Sequence, residues 1–586
     1  MPGLNGSKPG SLAARLDYQP RELRFGTSGR RGDVADLAQL EVYINALSEL
    51  QFLLELPASE GGIRRGDAFY LACDLRPSSS RLVAEEQGRG EIAQAVAQAV
   101  ADAGLRPVNL GTIPSPAIAS YSISQGKGGI MVTGSHIPFE RNGYKVNTSA
   151  GELLKRHEEP INRRVAQTRN RIYDQPYEDS PFNERGMFKN GSPALPPETD
   201  AARRAYVERY SDFFAGTPLK GRKIIVYQHS AVGRDILVEI LERVGAIVVP
   251  AGRSEIFVPI DTENIDRVVL ARIQSLVDEE SSRHGAFDAV VSTDGDSDRP
   301  LILGLENATE SAGRQHVRFF GGDLVGMVVA DFLAADAVVV SISCNDGVDR
   351  GSLRDKLEPK TRIGSPYIIA GMEQALAKGK RRVVGWEANG GFLTGSDIER
   401  DGRILRALPT RDAVLPILAT LIAAFKRGWP ISRLFEQLPR RFSKAALLKK
   451  FPRSTSVAIL RRFSPADPSV MEARFEAEET RLLDSAGCLT PCRPQRLHEI
   501  DRIRRELEEI FDREIGFDRI VRINWIDGAR VSFGNGDVAH VRPSGNADEL
   551  RIYAVADSQE RADAIASMGV AEPDGILRRL ERIAIS

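Results

Sequence analysis

The sequence predicts an α/β protein built from several doubly wound domains, and three observations carry that prediction. The chain has 586 residues, which at roughly 150 residues per domain amounts to about four domains. Helical and strand patterns alternate along most of its length, as in proteins whose helices cover both faces of a sheet. Three apolar, strand-like runs also stop abruptly in polar, Gly-rich loops, and in α/β sheets function gathers at the carboxyl ends of strands.

Taken in order, the first of these strands is Gly129–Val132, breaking into Thr133, Gly134, Ser135 and His136. The second covers 288–292 and runs into Thr293, Asp294, Gly295, Asp296, Ser297, Asp298 and Arg299. The third covers 382–385, followed by Trp386, Glu387, Ala388, Asn389 and Gly390. Between them, 91–103 places Ile92, Val96, Ala99, Val100 and Ala103 on one helical face, with Gly104 as a stop. Residues 235–244 repeat that spacing and end at Gly245. A Pro-, Ser- and Asn-rich stretch at 179–197 predicts a linker or long loop, and 307–314 a further break. The charged stretch 474–513 predicts a solvated helix pair inserted in the last domain. Strands return at 529–533, 538–542 and 551–555, and Gly534-x-Gly536 between the first two reads as a hairpin turn, not a dinucleotide fingerprint.

Composition narrows the class. Lys plus Arg total 79 against 80 for Asp plus Glu, a net charge of −1, so no global field favours nucleic acid or an anionic membrane. Cys73, Cys344, Cys488 and Cys492 are too few and scattered for a disulfide scaffold, and reduced cytosolic thiols are the expectation. The N-terminus lacks an apolar signal segment, and the apolar run 413–425 falls short of the ~20 residues that span a bilayer. A cytoplasmic protein is expected.

Three motifs carry chemistry. In Asp294-Gly-Asp296-Ser-Asp298-Arg299, a tight loop can turn alternate carboxylates onto one hard divalent cation. An EF-hand fails because Arg299 and Leu305 stand where Gly and Glu are needed, although a solvated acidic turn also fits the stretch. Three carboxylates leave coordination places for water or phosphate oxygens, which suits Mg²⁺ in phosphoryl chemistry. In Thr133-Gly-Ser135-His136-Ile-Pro138, a Ser at the end of a buried strand is a candidate nucleophile or phosphate carrier, with Asn142-Gly-Tyr-Lys145 just beyond. The hydrolase elbow is excluded by Ile137 at its last Gly position. Phe25-Gly-Thr-Ser28-Gly29-Arg30-Arg31-Gly32 offers either an anion-binding nest or a plain polar turn, and Arg542-Pro-Ser544-Gly545-Asn546, with Arg551 nearby, offers a phosphate cradle. No Gly-x4-Gly-Lys-[Ser/Thr] motif occurs, which disfavours a P-loop kinase or ATPase.

In this order the segments resemble the α-D-phosphohexomutase family of phosphomannomutases, phosphoglucomutases and phosphoglucosamine mutases. The family's phosphoserine loop usually reads Thr-Ala-Ser-His-Asn-Pro, matched here except at Gly134 and Ile137. Its metal loop, Asp-Gly-Asp-x-Asp-Arg, is matched without change. Its sugar loop, Gly-Glu-x-Ser-Gly, aligns with Trp386–Gly390, with Trp for the first Gly and Asn for Ser, and its phosphate loop departs here after Gly545. The resemblance implies three doubly wound α/β domains and a C-terminal α+β domain around a central cleft. The boundaries fall at 1–200 with the phosphoserine loop, 201–312 with the metal loop, 313–435 with the sugar loop, and 436–586 with the phosphate loop and a charged helical insertion.

It also implies a mutase that exchanges hexose 1-phosphate and hexose 6-phosphate through a phosphoserine and a bisphosphorylated sugar. Mannose phosphate is the expected substrate, with glucose or N-acetylglucosamine phosphate as alternatives; a non-catalytic sugar-phosphate binding protein is the alternative from another class. Implied catalytic residues are Ser135, His136, Lys145, Arg31 and Arg299, and one Mg²⁺ per chain would be held by Ser135, Asp294, Asp296 and Asp298. Glu387 and Asn389 would hold the sugar. Arg542, Ser544, Gly545, Asn546 and Arg551 would hold the non-reacting phosphate, with glucose 1,6-bisphosphate or a similar compound as activator. The family often has His or Lys after the Gly of the third-domain loop, where this chain has Gly364-Ser365-Pro366.

Overall fold

The computed structural model describes residues 8–216, 218–263, 265–307, 314–477, 479–485, 487–544 and 548–585. Two compact units divide the chain, Met1–Val338 with Gly364–Phe435, and Val339–Ile363 with Glu436–Ser586. The division falls inside the strand Ala337–Val340.

In the first unit the N-terminal sheet has a parallel core. Ala68–Cys73 lies between Arg106–Thr112 and Gly129–Val132, parallel to both. Arg141–Thr148 then runs antiparallel to Gly129–Val132, and Arg30–Asp33 antiparallel to Arg141–Thr148. Ile92–Asp102 forms the expected helix, and Ile92, Val96, Ala99 and Val100 join Leu71, Ile130 and Val132 in one apolar core. The 179–197 stretch is irregular apart from the end of the 3₁₀ turn Tyr177–Asp179 and an isolated antiparallel bridge between Phe182 and Phe188.

A second sheet pairs Ile247–Arg253, Lys223–His229 and Ala289–Thr293 in parallel. Pro300–Asn307 and Gln315–Phe319 extend it antiparallel. The last of these strands lies beyond residue 312, so the sequence boundary there cuts the sheet short; residues 308–313 lie outside the described residues. In a third sheet, Val383–Trp386, Phe392–Thr394 and Leu408–Asp412 are hydrogen-bonded in that order.

The apolar run after Leu408–Asp412 is the helix Val414–Phe425, buried at every position, so its uniform hydrophobicity marks a core helix. Among the described residues no helix is long and apolar enough to cross a membrane.

Trp386 is fully buried and stacks on Phe392 with centroids 6.1 Å apart. Gly326, on the helix Gly322–Phe332, makes room for it: a Cβ there would lie 2.3 Å from the indole Cδ1. Gly326→Ala gains about 1 kcal/mol of helix propensity, but the rigid ring cannot retreat as a flexible chain would, and overpacking costs about 1–3 kcal/mol or more. A lower urea midpoint for Gly326→Ala is the expected result.

The second unit is α+β. Its eight strands are antiparallel throughout, in the order Phe442–Lys449, Glu549–Ala556, Val538–Pro543, Ala529–Phe533, Ile520–Asn524, Val470–Phe475, Thr480–Asp484, Leu489–Pro491. Gly536, at φ +88°, turns the predicted hairpin. The stretch 474–513 differs from the expected helix pair. Its first part belongs to strands, with Phe475 and Leu482 buried, and the only helix among its described residues is Pro494–Ile510, which buries Ile500, Ile503, Leu507 and Ile510. The charges there line the solvent face of a sheet as readily as that of a helix, and they masked the alternation.

His540 is buried in this unit, with Nε2 2.5 Å from the Asp527 carbonyl. Burial, helped by Arg530 and Arg542, pulls its imidazole down to about 3. Its ordinary value is about 6.5, so the neutral form is favoured by the fold. Stability is complete above pH ~6.5 and is lost as pH falls toward 3, at up to about 1.4 kcal/mol per pH unit. His540→Gln should flatten that part of the stability profile, measured as the difference in urea midpoint between wild type and variant at pH 7 and pH 4.5.

Candidate active site

Ser135 follows a completely buried strand and adopts φ 53°, a left-handed conformation that costs a non-Gly residue about 1–2 kcal/mol. The surroundings hold it there. Its N–H donates to Thr133 Oγ1 at 2.7 Å, and Thr133 Oγ1 and the Gly134 N–H both donate to Asp74 Oδ2, at 2.8 and 3.2 Å.

Arg76, fully buried, ion-pairs with Asp74 at 3.3 Å and donates to the carbonyls of Ser135, Ile137, Pro138 and Arg141. Its guanidinium also lies 3.8 Å from the centroid of the Phe257 ring. Gly134 explains one departure from the family motif, because a Cβ there would sit 2.6 Å from Arg76 Nε. Ile137, the other departure, is buried.

The metal-loop aspartates converge. One ligand oxygen from each of Asp294, Asp296 and Asp298 lies within 4.8 Å of the others, and all three residues are buried. Ser297 at φ 58° makes the turn, its Oγ accepting from Thr293 Oγ1 at 2.8 Å and from the Gly233 N–H at 2.9 Å. Asp294 Oδ1 accepts the N–H groups of Asp298 and Arg299 at 3.1 and 3.2 Å. Asp294 Oδ2 accepts from Ser135 Oγ at 2.9 Å, which joins the two loops. His136 Nδ1 is 3.4 Å from the same hydroxyl.

Cations surround the cluster. Lys145 Nζ is 2.6 Å from both Asp296 Oδ2 and Asp298 Oδ2, and Ser115 Oγ donates to Asp296 Oδ2 at 2.5 Å. Arg299 lies 3.9 Å from Asp294, 3.7 Å from Asp298 and 3.8 Å from Asp261. Strand alternation separates the two N-terminal arginines. Arg30 is buried against Glu49 at 2.6 Å, whereas Arg31 donates to the carbonyls of Arg30 and Tyr144. Burial lowers the Arg31 guanidinium to about 10, against the attraction of Asp296. It therefore stays charged at neutral pH.

The donor set fits a hard divalent cation. Asp296 Oδ1 and Asp298 Oδ1 are buried without a hydrogen-bond partner, which is costly unless a ligand satisfies them. Burial, together with the charges of Asp296 and Asp298, pushes Asp294 well above the usual carboxylate range, a penalty that a cation relieves. Burial also opposes ionisation of Asp296, but Lys145 and Ser115 outweigh it and hold that carboxyl low.

In the sugar loop, Gly390 at φ +87° makes the turn and Asn389 Oδ1 accepts the Gly391 N–H at 2.9 Å. Glu387 is buried and accepts from Arg411 at 3.0 Å; Arg411 also donates to Asp298 at 2.9 and 3.2 Å. Ser365 Oγ donates to Glu152 at 2.5 Å, as does Thr410 Oγ1, so the loop with Ser in the His or Lys position is tied to a buried carboxylate. Arg76, Arg411 and Glu152 escape the motif reading. The signal that could have found Arg411 is an Arg-Asp pair directly before the longest apolar run, where a charge must be buried with a partner.

In the second unit Arg542 and Arg551 are paired neighbours on adjacent strands. Arg542 Nε lies 3.6 Å from Asp527, Arg551 donates to Glu549 at 2.9 Å, and the Ser544 N–H donates to the Glu549 carbonyl at 2.9 Å. Gly545 and Asn546 lie outside the described residues. All four cysteines are free thiols.

Residues 22–171, 321–442 and 493–571 match, respectively, phosphoglucomutase/phosphomannomutase alpha/beta/alpha domain I, alpha/beta/alpha domain III and the C-terminal domain. A phosphomannomutase of Sinorhizobium fredii is 35% identical over 550 residues, 94% of this chain and 98% of that protein. The chain belongs to the phosphoglucomutase/phosphomannomutase family. Solved structures share the fold. A Thermus thermophilus structure named for phosphomannomutase has 18% identity and a TM-score of 0.60, covering 97% of this chain and all of its own. An Aspergillus fumigatus N-acetylphosphoglucosamine mutase, solved with glucose 1,6-bisphosphate, has 15% identity and a TM-score of 0.50, covering 99% of this chain and 100% of its own.

Proposed function

We propose that this phosphoglucomutase/phosphomannomutase family member interconverts hexose 1-phosphate and hexose 6-phosphate, with mannose phosphate as the substrate. The observation that carries the reading is Ser135 Oγ, held in a left-handed turn 2.9 Å from Asp294 in a cluster of three buried carboxylates. The mannose assignment rests on the activity named for the Sinorhizobium relative.

In this reading Ser135 carries a phosphoryl group. A substrate hydroxyl oxygen bonds to phosphorus as the bond to Ser135 Oγ breaks, and the hydroxyl proton is released to water, with Lys145 and Arg31 offsetting the charge that develops on the oxygen. The resulting bisphosphate reorients, and its other phosphoryl group returns to Ser135 as its own ester bond breaks. Asp294, Asp296 and Asp298 would hold one Mg²⁺ per chain, which when bound supplies neutralisation of phosphoryl charge. Positioning does the rest, because phosphoryl transfer asks the protein for little covalent work.

Arg299, Lys145 and Arg31 balance the charge of the reacting group. Glu387 and Asn389 take the sugar hydroxyls, and Arg542, Ser544, Gly545, Asn546 and Arg551 take the phosphate that does not react. The ligand of the Aspergillus structure supports glucose 1,6-bisphosphate as activator. The four free thiols suit a cytoplasmic location.

The test is turnover of mannose, glucose and N-acetylglucosamine 1-phosphates side by side, with Mg²⁺ and glucose 1,6-bisphosphate supplied. The highest kcat/KM is expected for mannose 1-phosphate. No turnover of any of the three would sink the mutase reading, and a preference for another sugar would overturn the mannose assignment.

A further inference from the structure

Arg411 belongs to none of the four motif loops, yet it touches two of them. Its Nε and one terminal nitrogen donate to Asp298 Oδ2, at 3.2 and 2.9 Å, and its other terminal nitrogen donates to Glu387 Oε2 at 3.0 Å. Each carboxylate keeps its second oxygen out of this contact. Asp298 Oδ1 is buried without a hydrogen-bond partner, and Glu387 Oε1 accepts no hydrogen bond from the described residues. One planar fork thus fixes both groups and leaves one oxygen of each outside its grip, that of Asp298 facing Arg299 Nε at 3.7 Å.

The fork is itself held. Thr410 on one side donates to Glu152 at 2.5 Å, and Asp412 on the other accepts from the hydroxyls of Tyr206 and Tyr210. Gly391 clears the space that the side chain fills, since a Cβ there would sit 2.6 Å from Arg411 Cδ.

We propose that Arg411 is a positioning residue that couples sugar recognition to the metal loop, aiming Glu387 Oε1 at the hexose hydroxyls and keeping Asp298 Oδ1 free for the divalent cation. The proposal rests on the mutase reading and adds a coupling between its two subsites. Glu387 acts as the counterweight. Without its charge, the guanidinium can swing onto both oxygens of Asp298 as a bidentate pair and cap the one the cation needs. Because coupling between sites is reciprocal, cation and sugar phosphate then strengthen each other's binding.

Two variants test this. Arg411→Lys keeps the charge but cannot bridge two carboxylates in one plane. Its KM for hexose 1-phosphate should rise about ten-fold, within the range seen for lost outer-shell partners, with kcat changed less. Glu387→Gln, remote from the cation by contact, should weaken Mn²⁺ binding to the sugar-free protein by about five-fold or more, read by electron paramagnetic resonance. If Arg411→Lys fails to fold, the Glu387→Gln measurement decides alone. Wild-type Mn²⁺ affinity in Glu387→Gln overturns the coupling, as does an unchanged KM in folded Arg411→Lys. Absence of turnover by the wild-type protein in the same assays would instead overturn the mutase reading.

Discussion

Ser135→Ala should abolish turnover, with kcat falling by at least about 10⁴-fold, as expected when the group that forms the covalent intermediate is removed. The loss is chemical, not structural. Ser135 Oγ makes a hydrogen bond of 2.9 Å to Asp294 and a longer one of 3.4 Å with His136 Nδ1, and such bonds contribute about 1 kcal/mol each. The left-handed backbone is held by Thr133, Asp74 and Arg76 whichever small residue occupies the position. The variant should therefore keep its urea midpoint to within that margin. Its affinity for Mn²⁺ should fall only in part, because the three aspartates remain when the fourth ligand, Ser135 Oγ, is lost. Mass spectrometry of the tryptic peptide spanning Ser135 checks the assignment directly: a phosphoryl group on the wild-type peptide and none on the variant. A variant retaining measurable phosphoryl exchange would remove Ser135 from its role.

Arg76→Met should be the most damaging single substitution to stability. The side chain is fully buried, and its loss leaves Asp74 buried without its cation and four backbone carbonyls without their donor. Breaking a buried pair by removing one partner costs about 3–5 kcal/mol. The exposed pair Arg243–Glu239, by contrast, should yield about 0–1 kcal/mol when broken. Urea unfolding of the two variants measures the contrast, and hydrogen exchange over 133–141 should show the phosphoserine loop opening in Arg76→Met alone. Equal midpoints for the two would contradict the reading of Arg76 as the loop's scaffold.

The contrast between legible and hidden residues has a physical origin. The loops around Ser135, the three aspartates and Glu387 could be read because each is a contiguous string following a buried strand, and its chemistry is local. Arg411 and Arg76 could not, because they act on residues 113 and 59 positions away, and no local pattern records which distant carbonyl a guanidinium will meet. The same distinction runs through the fold. Helices such as Ile92–Asp102 announce themselves by spacing, whereas the strands Val470–Phe475 and Thr480–Asp484 are dense in charge and short of apolar alternation. Only pairing across the sheet defines them. The two adjacent arginines at the N-terminus were visible as a pair, but only the strand's period of two assigned Arg30 to the core and Arg31 to the site.

The contact between Gly134 and Arg76 also constrains how this chain can evolve. Gly134→Ala would remove one of the two departures from the family's usual loop sequence, and on sequence grounds it looks like a safe change. The 2.6 Å separation from a guanidinium already committed to the loop's carbonyls makes it one of the least tolerable. Exchanging the glycine should therefore require a change at position 76, or around it. A consensus-guided redesign that alters residue 134 alone would be moving against an epistatic barrier that no column of residues, viewed singly, displays.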